Sequence, residues 1–346
     1  MSILSGLSSS FFGLDIGTTA VRLVQLSGSG NSRQLLKYAY VPVDGKIVLS
    51  DAKADQQKLL KIISDLLTQA QVTEKNVALG IPSSRVFTTV VDFDRLAAGE
   101  MKKAIQYQAD SFIPTPLAQS KIDWAVIGDS PKDPAKVEIL LSSVDNDYIE
   151  KRLDMLESIG LNIVALEPDN LALARALMVP DSTVPQMIID IGNKSTDLVI
   201  AMGNAPRLTR SIPTGIEAII RTAAQNLNVE DKQAEQFIFK FGLNKDKLEG
   251  RVYDAIISTV DLLASDVEKS IQFFKSRYNQ NVARIIVTGA ASTMPEFPIY
   301  IANKFGIEVE IGNAWRNVSF APERQTELLS VSNHFGVAVG LAERSS

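Results

Sequence analysis

Phe12-Gly-Leu-Asp-Ile-Gly-Thr-Thr-Ala-Val-Arg-Leu-Val-Gln-Leu26 is the stretch whose reading decides the fold. An apolar approach ends at Asp15, Gly17 opens a tight turn, Thr18 and Thr19 follow, and residues 21–26 suit a returning strand rather than a helix. Such a hairpin can hold a phosphate. Gly17 lets the backbone come close, and the loop N–H groups and Thr hydroxyls can donate to phosphate oxygens. Asp15, at the strand end, would face a hydrated divalent cation. One such patch also occurs in ordinary hairpins, but this chain carries a second: Met187-Ile-Ile-Asp-Ile-Gly-Asn-Lys-Ser-Thr-Asp-Leu-Val-Ile-Ala201. Asp190 lies 175 residues after Asp15, about one domain length. Two phosphate hairpins, one per half, imply a nucleotide clamped between two similar lobes.

Composition narrows the alternatives. The 346 residues are 45% hydrophobic and 22% charged, as in a soluble globular protein large enough for two lobes with separate cores. The net charge of −5, without a Lys/Arg run, argues against broad nucleic-acid binding. With no cysteine and one histidine, disulfides, thiol catalysis, Cys/His zinc sites and histidine pairs are excluded, and the lack of cysteine fits the cytoplasm. His334 reads as a packed or surface residue, not a catalyst. No window has about 18 uninterrupted apolar residues, so no direct membrane insertion is expected. The opening Met1-Ser-Ile-Leu-Ser-Gly-Leu7 lacks a basic start and does not read as a signal peptide.

In chain order, residues 34–43 suit a third strand, residues 55–71 an amphipathic helix, and residues 77–81 a buried strand stopped by Pro82. The first lobe is assigned to residues 1–83 and 159–185. Residues 84–158 read as a small inserted α+β module with strands at 86–93, 124–127 and 137–144 and helices at 99–112 and near 149–156. Residues 161–166 form a strand ending at Glu167-Pro168, followed by a short helix. The second lobe takes residues 186–215 and 282–346. Residues 216–281 form a helical subdomain, with Leu262, Leu263, Val267, Ile271, Phe274 and Tyr278 on one apolar face. A strand at 283–288 runs into Gly289-Ala-Ala-Ser292, where free backbone N–H groups can meet a ligand, and residues 330–343 supply the last helix.

Three glycine-small turns in this order resemble the actin-like ATPase superfamily, an α/β, ribonuclease H-like fold of two lobes. Asp15-Ile-Gly-Thr-Thr19 is similar to its first phosphate motif, Asp190-Ile-Gly-Asn-Lys-Ser-Thr196 to the second, and Thr288-Gly-Ala-Ala-Ser292 to the adenosine motif. The position of the insert, Ile113-Pro-Thr-Pro116 and Ile271-Gln-Phe-Phe-Lys-Ser276 most resemble the PilM family of type IV pilus assembly components. The resemblance implies ATP and Mg²⁺ as cofactors, with Asp15 and Asp190 at the metal through water. Gly17, Thr18 and Thr19 would hold β/γ phosphates, with Arg22 beside them where relatives often have lysine. Gly192, Asn193, Lys194 and Thr196 would form the second phosphate turn, with Gly215 at the start of the next helix. Gly289, Ala290 and Ala291 would pack on the adenosine, and Ala290 departs from the two glycines common in relatives. Glu235 and Lys240 would reach the ribose or base. Glu167 stands where hydrolytic relatives position water, which would allow a slow Mg-dependent ATPase.

The same resemblance implies an adaptor that docks the N-terminal peptide of a PilN-like inner-membrane partner in a cleft between first lobe and insert. Candidate anchors are Phe87, Val90, Phe93, Ile105 and Phe112. The chain would then be cytoplasmic and peripheral to the inner membrane, meeting other pilus assembly proteins and leaving self-association open. Two readings compete. A cell-division relative of the FtsA type would carry a C-terminal amphipathic membrane helix, not expected from Arg344-Ser-Ser346. A sugar or acetate kinase would need a dense polar substrate constellation, which the insert does not offer. P-loop and Rossmann motifs are missing.

Overall fold

Each apolar run that ends on one of the two acids becomes a central strand with a sheet built around it. The computed structural model describes residues 10–344; the opening heptapeptide and the final two serines lie outside them. The first half forms β1 (Phe12–Ile16), β2 (Ala20–Ser27), β3 (Gln34–Pro42), α1 (Gly45–Leu49), α2 (Lys53–Gln69), β4 (Asn76–Ile81), β5 (Val86–Asp94), α3 (Ala98–Gln108), β6 (Ser120–Asp129), β7 (Lys136–Asp145), α4 (Asn146–Glu157), β8 (Asn162–Pro168) and α5 (Asp169–Leu177). The second half forms β9 (Gln186–Ile191), β10 (Thr196–Met202), β11 (Ala205–Ile212), α6 (Ile216–Leu227), α7 (Asp231–Phe241), α8 (Arg251–Tyr278), β12 (Arg284–Gly289), α9 (Phe297–Phe305), β13 (Glu308–Ile311), α10 (Gln325–Val331) and α11 (Gly336–Ala342).

The lobes repeat one topology. One sheet runs β3-β2-β1-β4-β8, the other β11-β10-β9-β12-β13. In each, the first three strands form an antiparallel meander and the last two run parallel to the acid-bearing strand. Continuous apolar runs suit β1 and β9 because both faces of each are covered. The insert is a third, antiparallel sheet, β5-β7-β6, carrying α3 through Met101 and Ile105 against Phe93, Ile139 and Leu141.

Two helices lie across the lobe boundary. Helix α5 leaves the first sheet and buries Leu173, Ala176 and Leu177 with β9 and β10 residues of the second lobe. Helix α11 returns to the first sheet, where Leu341 packs with Ala78, Ala165 and Ala172. Gly340 lets α11 press on the Ala172 backbone; a Cβ there would overlap its carbonyl carbon and oxygen.

Several expectations need correction. The last helix is broken at residues 332–335, because Ser332 Oγ accepts from Ala314 N–H at 2.8 Å and Asn333 bonds the 289–292 turn. Leu262 is 70% exposed; it lies one residue, about 100° of helix, from buried Leu263. Helix α4, read as part of the insert, buries Ile149, Met155 and Leu156 in the core of the first lobe.

Candidate functional site

Both hairpins close alike. Gly17 N–H donates to Ala20 O at 3.1 Å, and Gly192 N–H to Ser195 O at 2.9 Å. Their polar turns face one cleft of about 1130 Å³ between the lobes, ample for a small-molecule ligand, whose pockets run ~300–1,000 Å³. Asp15, Gly17, Thr18, Thr19 and Arg22 line it from the first lobe. Asp190, Gly192, Asn193 and Lys194 face them from the second, and Glu235, Gly289 and Ala290 border the same space. Gly289 has φ 76°, and a Cβ there would run into the Ile191 carbonyl, so glycine is what lets β12 end beside the second turn.

Other expected site residues fall elsewhere. Thr196 is fully buried, and its Oγ1 donates to Thr214 O at 2.7 Å. Gly215 sits behind the turn, where a Cβ would overlap the Asn193 carbonyl. The first N–H groups of α6, from Ile216 and Glu217, go to the carbonyls of Gly192 and Asn193 at 2.9 and 3.1 Å, so this helix end supports the turn instead of facing a ligand. Ala291 is in the second-lobe core. Lys240 is exposed outside the cleft, 5.4 Å from the Phe241 ring centre. Lys194 pairs with Glu217.

Glu167 does not reach the cleft. It is buried, ion-paired to Arg175 and to Arg344 at 3.1 Å. Burial alone would raise its carboxyl, but Arg175 first and then Arg344 hold it below the usual range. Sequence reasoning placed it by its neighbour Pro168; of the two arginines that hold it, Arg175 lies on the following helix and Arg344 comes from the far end of the chain.

The acids of the cleft are unevenly matched. Asp15 pairs with Arg22 Nη1 at 3.3 Å; burial still raises its carboxyl, with Arg22 opposing. Asp190 stands opposite Asp197 across the β9–β10 ladder. Burial, then Asp197 and Asp15, push Asp190 up to about 7. Asp169 lines the cleft as well, and burial followed by the charges of Asp15, Asp197 and Asp190 raises it well above the carboxylate range. Sequence reading assigned no role to Asp169 or Asp197, although Asp197 occupies the position 175 residues after Arg22. His334 borders the cleft; desolvation there, then Arg22, lower it to about 4.

This donor set fits a hydrated cation. One carboxylate oxygen each of Asp169 and Asp197 is shielded and without a hydrogen-bond partner. Among the described residues no three acidic or histidine side chains converge for direct coordination, so a Mg²⁺ ion here would have to keep its waters. Asp15 and Asp190 would hold it through those waters.

A second, shallower groove lies between first lobe and insert, with Trp124, Leu140 and Val144 on one side and Ile81, Leu166 and Leu171 on the other. The anchors expected from sequence are mostly elsewhere: Phe93 and Ile105 are buried in the insert's own core, with Phe87 and Phe112 packed against it. Strand alternation on β5 and the stripe on α3 mark a face that α3 and the insert's sheet consume between themselves.

Two sheets of one strand order, each with an acid-glycine hairpin facing a shared cleft, define a protein of the actin-like ATPase fold. Within that class, the model of the family "Type IV pilus assembly protein PilM" matches residues 13–346, and the chain belongs to this family. Among solved structures it is similar to a chain of a PilM-PilN type IV pilus biogenesis complex, with 24% identity, TM-score 0.82, and coverage of 96% of this chain and 98% of that one. It also resembles the ethanolamine utilization protein EutJ of Carboxydothermus hydrogenoformans (15% identity, TM-score 0.57, coverage 99% and 93%). A third neighbour is MreB5 of Spiroplasma citri bound to AMPPNP (14% identity, TM-score 0.54, coverage 97% and 95%). Among the described residues no helix is long and apolar enough to cross a membrane.

Proposed function

We propose that this chain is an adaptor of type IV pilus assembly that binds ATP with Mg²⁺ between its lobes. It docks the N-terminal peptide of a PilN-like inner-membrane partner beside the insert, working from the cytoplasmic side. The family match over residues 13–346 carries the pilus half of the reading, and the likeness to a chain of a PilM-PilN complex supports the choice of partner. The paired hairpins facing one cleft support the nucleotide half. The family match disfavours the division-protein and kinase readings. The proposal is one of binding: Glu167 is held by arginines away from the cleft, so hydrolysis would need another group to position water.

The two sites are mechanically linked. Glu138 of the insert accepts from Arg207 of β11 at 2.6 Å, Arg277 of α8 at 2.8 Å and the Tyr278 hydroxyl at 2.8 Å. The insert is thus fixed to the second lobe, while the groove's other wall belongs to the first. A nucleotide that changes the angle between lobes would change the groove. The units are those expected from sequence, with α4 and its C-cap, residues 146–158, counted with the first lobe.

The test is calorimetric titration of Mg²⁺-ATP into wild type and Asp15→Ala, with and without the partner's N-terminal peptide. Binding that needs Asp15 and shifts with the peptide is the expected outcome. A folded wild type that binds peptide but no ATP would leave a scaffold without a nucleotide site, and one that binds ATP but no peptide would remove the adaptor role.

A further inference from the structure

Asp169 has no part in the reading above, and its setting calls for one. It is the first residue of α5, two positions after Glu167. Across Pro168 the two acids diverge: Glu167 borders the groove beside the insert and is held by Arg175 and Arg344, whereas Asp169 borders the cleft between the lobes. The Oδ1 of Asp169 is shielded from solvent and has no hydrogen-bond partner. The carboxylates near enough to act on it are Asp15, Asp190, Asp197 and Glu167. Of the three in the cleft, only Asp15 has a cation against it, Arg22 at 3.3 Å.

The backbone also makes room for this carboxylate. Gly80 lies in β4, and a Cβ on it would overlap Asp169 Oδ1. A glycine inside a central strand weakens the strand unless something must approach closely; here that something is an acid without a partner. A shielded, unpaired polar atom facing like charges costs stability in the empty protein, and such violations collect at sites that await a ligand. An acid in the first turn of a helix is ordinarily explained by the helix dipole. That explanation predicts that removing the charge destabilises the fold, and it accounts for neither the orphaned oxygen nor the glycine beneath it.

We propose that Asp169, and not Glu167, is the third acid presented to the hydrated divalent cation of the bound nucleotide, sharing its water shell with Asp15 and Asp190. This rests on the nucleotide reading of the cleft. Asp169 acts here as a positioning residue, its carboxylate accepting from metal-bound water.

Asp169→Asn keeps the shape of the side chain and removes the charge; Asp169→Ala is the second variant should the amide disturb folding. Each, with wild type and Glu167→Gln, is titrated with ATP in Mg²⁺ and in EDTA, and the melting temperature of each is measured without nucleotide. Wild type is expected to prefer Mg²⁺-ATP. The Asp169 variants should lose 10- to 100-fold of that preference, a typical effect of groups that orient a metal's ligands, with affinity in EDTA unchanged and Tm above wild type. Glu167→Gln should keep the full Mg²⁺ preference. Asp169 variants with unchanged Mg²⁺ preference, or with a lowered Tm and uniformly weakened binding, would overturn this assignment alone. A folded wild type that binds neither form of ATP would take the nucleotide reading down with it.

Discussion

Asp15 of β1 sits opposite Arg22 of β2, whereas Asp190 of β9 sits opposite Asp197 of β10, at the same register positions 175 residues later. The backbones match down to the glycine hydrogen bond that closes each turn. The electrostatics do not. The first hairpin balances its acid with Arg22, which also reaches Thr19 Oγ1 at 3.4 Å and so spans its turn. The second holds two acids face to face, an arrangement that destabilises an antiparallel pair. A fold repeat therefore fixes where side chains meet but not what they do there. A cation entering the cleft has more repulsion to relieve at the second hairpin than at the first.

The extreme of the paired case lies in the insert, where fully buried Glu138 has two arginines and a tyrosine, and Arg277 continues to Asp92 at 3.2 Å. Removing one side of a buried charge cluster strands the others. Glu138→Ala is expected to lower stability by about 3–5 kcal/mol, read from the urea midpoint. A loss under about 1 kcal/mol, the worth of an exposed pair, would show that the cluster is solvated and does not fix the insert to the second lobe.

The unpaired case is exposed by pH. Asp190 sits at about 7 when folded against 3.8 for an ordinary aspartate. Glu343 is also raised to about 7, by burial that Arg33 and Arg175 only partly offset. Between those values the folded state holds protons that the unfolded state has released, so the stability they contribute is full below about pH 4 and lost as pH rises to about 7. Glu167 shifts the other way, and its effect is confined to acid below its ordinary value of 4.5. Without nucleotide, the protein should thus be more stable at pH 5.5 than at pH 8, by about 2 kcal/mol for each of the two groups. Glu343→Gln and Asp190→Asn should each remove part of that slope, and Asp169, raised by burial and its acidic neighbours, contributes to what remains. A melting temperature that rises from pH 5.5 to 8 would contradict the contrast between the hairpins.

Arg22→Ala would convert the first hairpin into the second kind. Asp15 loses its 3.3 Å partner while staying buried, at an expected cost of about 2 kcal/mol. Its pH dependence should come to resemble that of Asp190. If stability is unchanged, the pair is as weak as a solvated one and the two hairpins are not electrostatically distinct.

The hairpins themselves were legible because an apolar run ending on an acid and a glycine is a local signal, and so was the order of strands around them. What escaped the sequence was decided over long distances. Glu167 is held by Arg175 on the next helix and by Arg344 from the other end of the chain. The helix expected over 330–343 breaks where Ser332 and Asn333 are drawn off by residues 289–314. Helix α4 follows the insert in sequence yet belongs to the first-lobe core, since amphipathic spacing says which face is buried and not against what. Asp169 and Asp197 went unassigned because a single aspartate carries no pattern until the fold gathers it with others.

The smallest change is the sharpest probe of the comparison. Asp197→Asn removes one of two opposed charges while leaving the β9–β10 ladder and the shape of the turn in place. Cross-strand pairs are worth roughly 0.2–1 kcal/mol, so the nucleotide-free protein should gain about that much, with Asp190 falling back toward its ordinary value. Asp197→Arg should go further in the same direction by recreating at 190/197 the pair found at 15/22. Its guanidinium would then occupy the side of the cleft where a cation relieves repulsion, so it should stabilise the empty protein and weaken Mg²⁺-ATP binding together. Were Asp197→Arg to stabilise the protein and leave Mg²⁺-ATP binding untouched, the repulsion between Asp190 and Asp197 would be a feature of folding alone, unrelated to the ligand.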